Sequence, residues 1–302
     1  MGVAVTIFTP TFNRAYALGK LYKSLKDQTC KNFEWLVIDD GSNDNTRELI
    51  NQWENENQDF SIRYYYKKNG GKHRAINYGL EKASGRLFFI VDSDDYITEN
   101  AIETILSEDN IIQSNQFNLA GFGFNKGYNE SSIVGDTFEG ESIIASSIDR
   151  RKHKIKGDKA EIFYTEILKR YKFPEFPNEN FITESVVWYK IANDGYMLKW
   201  INKIIYICEY LEDGLTKNSS MLAINNFVGY TYSVRQFLKY DLSISEKAIL
   251  IGVYTRISRK KKESYLKISK NIDQNIIICM IMGFASKTSW FFKNRIPKMK
   301  AN

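Results

Sequence analysis

Histidine is nearly missing from this chain: His73 and His153 are the two in 302 residues. Any metal chemistry must therefore rest on carboxylate oxygens. Cysteine is almost as scarce. Cys30, Cys208 and Cys279 are odd in number, and their spacing matches neither a zinc ligand set nor a disulfide framework, which points to buried thiols in a reducing compartment. No basic region and cleavage site precede the first strand-like run, Val3–Phe8, so no secretory signal is expected and the expected location is cytoplasmic. The apolar run Ile276–Met282 is far shorter than the ~20 residues that span a bilayer. Neither a Gly-x-Gly-x-x-Gly fingerprint nor a Gly-Lys-Ser/Thr phosphate loop is present where glycines cluster, which argues against those two nucleotide-binding classes.

What is there begins with charge. The net charge of +6 hides two unlike parts: residues 1–216 carry 26 Lys+Arg against 32 Asp+Glu, and residues 217–302 carry 16 against 4. In the acidic part, Val3–Phe8, Glu34–Ile38, Ile62–Tyr66 and Leu87–Val91 read as strands. Between them Leu18, Leu21 and Leu25, then Leu49, Ile50 and Trp53, then Ile76 and Leu80 recur at helical spacing. That rhythm predicts an α/β fold of three layers, with helices on both sides of a mainly parallel, mixed sheet. Beyond about residue 216, Ile224–Tyr240 and Glu246–Ile257 look helical. The expected division is 1–216 (halves 1–106 and 107–216) and a basic helical region, 217–302.

The chemistry is expected at the strand ends. Leu87–Val91 runs into Asp92, Ser93, Asp94 and Asp95, placing hard oxygen ligands at a sheet edge where a divalent cation can hold a phosphate. Pro10 is expected to interrupt the first strand's ladder and turn the chain toward a crevice, where Phe12 offers an aromatic face to a base. After the second strand, Asp40 can accept a hydrogen bond from a base imide beside the turn at Gly41, while Asp44 and Thr46 read as turn and helix cap. Gly70-Gly71-Lys72-His73-Arg74 opens a short helix with three potential cations and suits an anionic pyrophosphate. Trp188 stands open between stacking on a sugar ring and core packing, and Gly121–Phe124 between passing beneath a sugar and a sheet strand.

Pro-Thr-Phe-Asn, Ile-Asp-Asp-Gly-Ser, Asn-Gly-Gly-Lys-His with Asn77 and Gly79, and Val-Asp-Ser-Asp-Asp, in that order, resemble the family 2 inverting glycosyltransferases of GT-A fold, strongly over residues 3–106 and weakly to about 215. The resemblance implies that Pro10, Phe12 and Asp40 recognise a nucleobase, usually uracil, and that Asp92 lies near the ribose and metal, with Ser93 in the same donor-binding set. It implies Mn²⁺ or Mg²⁺ on Asp94, with Asp95 beside it and the choice between the two left open. Lys72 and Arg74 are assigned to the donor phosphates on charge and position. It further implies a catalytic base after a Phe-Pro segment. Glu184 fits, although Thr183-Glu184 stands where many members have Glu-Asp, and an acid in a first helical turn is favourable in its own right. The implied partners are a nucleotide-sugar donor, in this family usually a UDP-sugar, and a saccharide or lipid-linked saccharide acceptor in surface polysaccharide synthesis. A non-catalytic sugar-nucleotide-binding or membrane-associated scaffold of the same fold is the alternative.

The basic region adds a second expectation. Arg259–Lys262, the apolar run at 276–282 and Lys287–Arg295 with Trp290, Phe291 and Phe292 combine cations with apolar anchors across residues 259–300. Such a segment suits an anionic membrane surface at the inner face of a cell membrane, or packing on the catalytic domain or a second copy. No nucleic-acid recognition motif accompanies the positive charge.

Overall fold

The structure, a computed structural model, describes residues 2–56, 59–112, 118–209 and 219–286. The first half is a βα winding: β1 (Val5–Thr11), α1 (Ala15–Lys26), β2 (Phe33–Asp39), α2 (Thr46–Glu56), β3 (Ser61–Tyr66), α3 (Lys72–Lys82) and β4 (Leu87–Ile90). Then follow β5 (Tyr96–Ile97), α4 (Ala101–Ile112), β6 (Leu119–Asn129), β7 (Ser132–Ile133), β8 (Ser142–Ala145), β9 (Lys159–Tyr164), α5 (Thr165–Leu168), α6 (Ser185–Asn193) and β10 (Met197–Ile207). The sheet order is β3-β2-β1-β4-β9-β6-β10-β5, with β7 on β6 and β8 on β10. Its first four strands are parallel; β9 runs antiparallel to both β4 and β6, which makes the sheet mixed.

Residue alternation feeds two cores, one on each face. Trp35 and Val37 of β2 join Leu18, Leu21, Leu25, Trp53 and Ile102 on one side. Leu36 and Ile38 join Phe8, Ile76, Leu80, Phe163 and Trp188 on the other. The strands are buried on both faces, as a sheet covered by helices requires. Gly121–Phe124 lies inside β6 as a core strand. Trp188 is core as well, stacked on Phe163 at 4.3 Å between ring centres.

One local expectation fails. Pro10 does not interrupt the ladder, because β1 pairs with β2 through Thr11. The Phe8 carbonyl faces β4, accepting from Val91, and the Thr11 carbonyl faces β2, accepting from Asp40. By alternation Pro10 turns its missing donor toward the side where β4 has already ended.

The helical region comprises α7 (Ser219–Asn225), α8 (Phe227–Phe237), α9 (Ile244–Lys260), α10 (Tyr265–Ile272) and α11 (Ile276–Ala285). The helix expected over 224–240 is broken at Asn226. Val234, Leu238, Ile251, Tyr254, Ile268, Ile272 and Cys279 form its own core. Ser243 and Glu246 start α9 with a reciprocal capping box. Ile277, Ile278, Met280, Ile281 and Phe284 of α11 are exposed. Among the described residues, no helix is long and apolar enough to cross a membrane. Residues 210–218, across the expected division, and 287–302, within the expected membrane segment, lie outside the described residues.

Candidate active site

Three loops meet at the carboxyl ends of β1, β2 and β4, where the strand order reverses beside β1. They are stitched together by side chains. Asn13 donates its backbone N–H to Ser42 Oγ at 2.8 Å and accepts from the Asn43 N–H at 2.8 Å. Asp44 accepts from the Ala15 N–H at 3.1 Å and the Thr46 hydroxyl at 2.6 Å, so it ties the start of α1 to that of α2. Phe12, between them, is 45% exposed.

Asp40 is buried, and its carboxylate accepts from the Gly70 N–H at 3.0 Å, the Gly71 N–H at 2.6 Å and the Lys67 ammonium. It thus holds the Gly-Gly turn that starts α3. The Gly70 N–H also reaches the second oxygen at 3.2 Å, so each carboxylate oxygen already takes two contacts, and a nucleobase donor would have to replace one of them. Gly71, with φ +93°, packs so closely on the loop before α6 that a Cβ would overlap the carbonyl oxygen of Asn180.

The turn aims Lys72 between two acids. Its ammonium lies 2.5 Å from Asp92 Oδ1 and 2.9 Å from Glu184 Oε1. Burial alone would favour loss of its proton, but these two carboxylates overcome that and hold the ammonium charged. The expected donor-side acid and the expected base, 92 positions apart, therefore share one cation. His73 is no cation: it is buried, and burial followed by the neighbouring Arg74 pushes its pKa down to about 4. Arg74 departs from the expected place at the donor phosphates. Its guanidinium donates to the carbonyls of Gly70, Glu179 and Phe176, each at 2.6 Å, and to Glu175 at 3.1 Å. Four bonds to fixed partners make it a clamp between α3 and the 173–180 loop.

The acids after β4 are held unequally. Asp95 is buried, accepting from the Tyr206 hydroxyl at 2.6 Å and the Glu209 N–H at 2.8 Å. Burial, then the charge of Asp92, still pushes its pKa up to about 7. Ser93 is buried too. Asp92 is desolvated, yet Lys72 and Lys126 hold its carboxyl below the usual range. Burial and the Asp92 charge raise Asp94. Asp94 half-faces solvent and, among the described residues, makes no ion pair or hydrogen bond to another side chain. No three His, Cys, Asp or Glu groups among the described residues converge as a ready-made metal cage. The donor set nonetheless fits a hard cation: Asp94 is an unpaired, destabilised carboxylate, and Mg²⁺-type sites commonly use one or two protein carboxylates and complete their shell from phosphates.

Sequence reasoning gave Lys126, Glu161 and Arg150 no role in the site. Lys126, in β6, is buried with its ammonium 2.9 Å from Asp158 and 4.1 Å above the Tyr206 ring. Glu161 faces Arg150 at 3.1 Å, but burial first, and Asp158 and Glu184 also, push its pKa up to about 7. A lysine and a glutamate inside apolar strand runs were the available signal.

Residues 6–114 match the family model described as Glycosyl transferase family 2. The chain is 26% identical over 274 residues to the GalNAc(5)-diNAcBac-PP-undecaprenol beta-1,3-glucosyltransferase of Campylobacter jejuni, covering 88% of this chain and 84% of that one. Of five other curated glycosyltransferases it spans only 16–36% of their length. Among solved structures it is similar to S. aureus TarS 1-349 in complex with UDP-GlcNAc (TM-score 0.58, 20% identity, 85% of this chain, 73% of that one). It is also similar to the mannosyltransferase PcManGT of Pyrobaculum calidifontis in complex with GDP-Man and Mn²⁺ (TM-score 0.54, 15% identity, 95% and 76%). The same wound sheet thus recurs in TarS and in a mannosyltransferase, and residues 6–114, which carry the crevice residues from Pro10 to Asp95, form a family 2 glycosyltransferase domain.

Proposed function

We propose that this glycosyltransferase is metal-dependent and inverting, and moves a sugar from a UDP-sugar to a hydroxyl of a lipid-linked or other saccharide during surface polysaccharide synthesis. The observation that carries the reading is the meeting of Asp92 and Glu184 on Lys72, which sets a donor-side acid and a candidate base within one cation's reach. The lipid-linked saccharide in the Campylobacter relative's name and the UDP-GlcNAc bound by TarS support the substrate classes. The proposed catalytic unit is 1–216, with 217–302 a basic helical region at the cytoplasmic face of the membrane.

Phe12 and Pro10 would line the base, Asp40 accept from it, and Asp92 and Ser93 lie along the ribose side. Asp94, with Asp95 behind it, would hold Mn²⁺ or Mg²⁺, which when bound offsets charge on the donor diphosphate. Glu184 takes the acceptor's proton as its oxygen bonds to the anomeric carbon. The bond from that carbon to the diphosphate oxygen breaks in the same displacement, and the electron pair leaves with the nucleoside diphosphate. One displacement inverts the anomeric centre with no covalent intermediate.

The test joins calorimetry of UDP, with and without Mn²⁺, to transfer of label from UDP-glucose and UDP-GlcNAc onto polyprenyl-diphosphate-linked saccharides. Asp94→Asn is expected to lose metal-dependent UDP binding. Glu184→Gln is expected to bind UDP normally and lose transfer. Metal-independent binding in the wild type would overturn the metal assignment, and full turnover by Glu184→Gln would overturn the base.

A further inference from the structure

The helical region is wired to the loop that carries Glu184. Asn226 occupies the N-cap position of α8, where an Asn side chain ordinarily accepts from the helix's own first-turn amides. It makes no such cap. Its buried Oδ1 instead accepts from the N–H groups of Asn180 at 2.9 Å and Phe181 at 3.0 Å, while its amide donates back to the Leu222 carbonyl at 2.9 Å. The cap of α8 comes from the loop in exchange: the Glu179 carboxylate accepts from the Val228 and Gly229 N–H groups, both at 2.7 Å. Gly229 permits the approach, since a Cβ there would stand 3.1 Å from Glu179 Oε2 and 3.2 Å from the Phe176 ring.

This reciprocal pair has a second anchor. The Glu179 carbonyl accepts from Arg74, and the Asn180 carbonyl packs on Gly71, so residues 179–181 are pinned to α3 on one side and to α8 on the other. Three residues further on comes Glu184. The helix that Glu184 precedes, α6, also packs on α8, with the Tyr189 and Phe237 rings 5.0 Å apart. The loop before Glu184 and the helix after it thus both rest on α8, beside their contacts with α3 and the core.

We propose that Asn226 and Glu179 are positioning residues through which the helical region sets the pose of Glu184. The proposal rests on the reading of Glu184 as the base. Catalysis is sensitive to displacement on this scale, a shift of about 1 Å costing on the order of 100-fold.

The experiment compares Asn226→Leu with Asn226→Asp, and Glu179→Ala with Glu179→Gln, in the full chain. The Leu and Ala variants remove the acceptors; Asn226→Asp keeps the oxygen that takes both N–H groups and loses only the donation to Leu222, and Glu179→Gln keeps one of its two acceptor oxygens. Expected are a kcat lower by about 100-fold in Asn226→Leu and Glu179→Ala, unchanged Mn²⁺-dependent UDP affinity, recovery of most of the rate in Asn226→Asp, and a rate between wild type and Glu179→Ala in Glu179→Gln. Hydrogen exchange at Asn180 and Phe181 should quicken in Asn226→Leu and not in Asn226→Asp. Wild-type kcat in Asn226→Leu and Glu179→Ala, or equal loss of UDP binding and rate, would overturn the proposal. If Asn226→Leu does not fold, the Glu179 pair decides by the same criteria. Glu184→Gln separates the two failures: an active Glu184→Gln removes the base and the proposal with it, whereas an inactive one beside a normal Asn226→Leu removes the proposal alone.

Discussion

Tyr206→Phe tests whether the acidic turn after β4 is held from β10. The substitution keeps the buried ring, its 6.1 Å edge contact with Phe89 and the Lys126 ammonium above it. What goes is one oxygen with two bonds: the donation to Asp95 Oδ2 at 2.6 Å and the acceptance from the Asp92 N–H at 3.0 Å. A hydrogen bond to a charged group contributes about 1.5–3 kcal/mol, and a buried donor left unpaired costs about 1–3 kcal/mol more. Asp95 keeps the Glu209 N–H, so the low end of each applies and the loss should be about 2.5 kcal/mol. In a protein of this size that lowers Tm by roughly 5–10 °C. Because the same turn presents Asp94, Mn²⁺-dependent UDP affinity should fall about tenfold, equivalent to about 1.4 kcal/mol. Thermal unfolding and calorimetry read the two effects separately. Unchanged melting and unchanged UDP affinity would refute the reasoning, since among the described residues the hydroxyl has no other hydrogen-bond partner to account for its burial.

Two further outcomes follow from other parts of the site. Glu161 has a folded pKa raised from 4.5 to about 7, so the native state binds its proton more tightly than the unfolded chain does. Its contribution is fully present below the unfolded value and is lost as pH rises from about 4.5 to about 7, by up to about 3 kcal/mol. Wild-type unfolding free energy should therefore decline more steeply than that of Glu161→Gln across this window, and parallel pH profiles in denaturant titrations would contradict the shift. Gly71→Ala meets both a left-handed backbone and the Asn180 carbonyl. It should cost at least about 1–3 kcal/mol in urea unfolding and lower transfer by moving the base loop, so a variant with wild-type stability and rate would mean the close approach is not real.

Much of this was legible in the chain because local pattern and global fold agree. The largely apolar runs of β1, β2 and β4 are buried on both faces, and Leu18, Leu21 and Leu25 fall on one helical stripe, so the winding could be read without a structure. The clustered acids after β4 could be read for the same reason, as a strand end leaves side chains free of the ladder. What stayed hidden was partnership across long separations. Arg74 looked like a phosphate ligand because charge beside glycines is all a sequence shows, yet carbonyls 102 and 105 positions away claim its donors. His73 looked like a cation until burial removed its charge. Lys126 and Glu161 were given no role because strand periodicity marks them only as interruptions, and their meaning depends on β9 inserting antiparallel between β4 and β6.

The balance of charge at the crevice bears on metal dependence independently of any motif. Three cations, Lys72, Lys126 and Arg150, are matched to acids: Lys126 to Asp158, Arg150 to Glu161, and Lys72 to Asp92 and Glu184 together. Asp95 makes no direct ion pair with a described residue: the Lys126 charge, the Tyr206 hydroxyl and the Glu209 amide compensate it only in part. Asp94 forms no direct ion pair with a described residue; burial first and the Asp92 charge second raise its carboxyl, and the charges of Arg14 and Lys72 offset this only in part. The carboxyls of Asp95 and Glu161 are raised as well. A diphosphate ester is an anion, and entering a pocket with this surplus of carboxylates would add repulsion to desolvation. Lys72 already shares its one charge between Asp92 and Glu184, so its third N–H brings a phosphate no surplus positive charge. A divalent cation at Asp94 would resolve both conflicts, since it would offset the acid that lacks an ion pair and leave Lys72 on the proposed base. Chelation should consequently abolish UDP binding and not merely slow turnover, and UDP affinity that survives EDTA would show that the lysines, and not a metal, neutralise the donor.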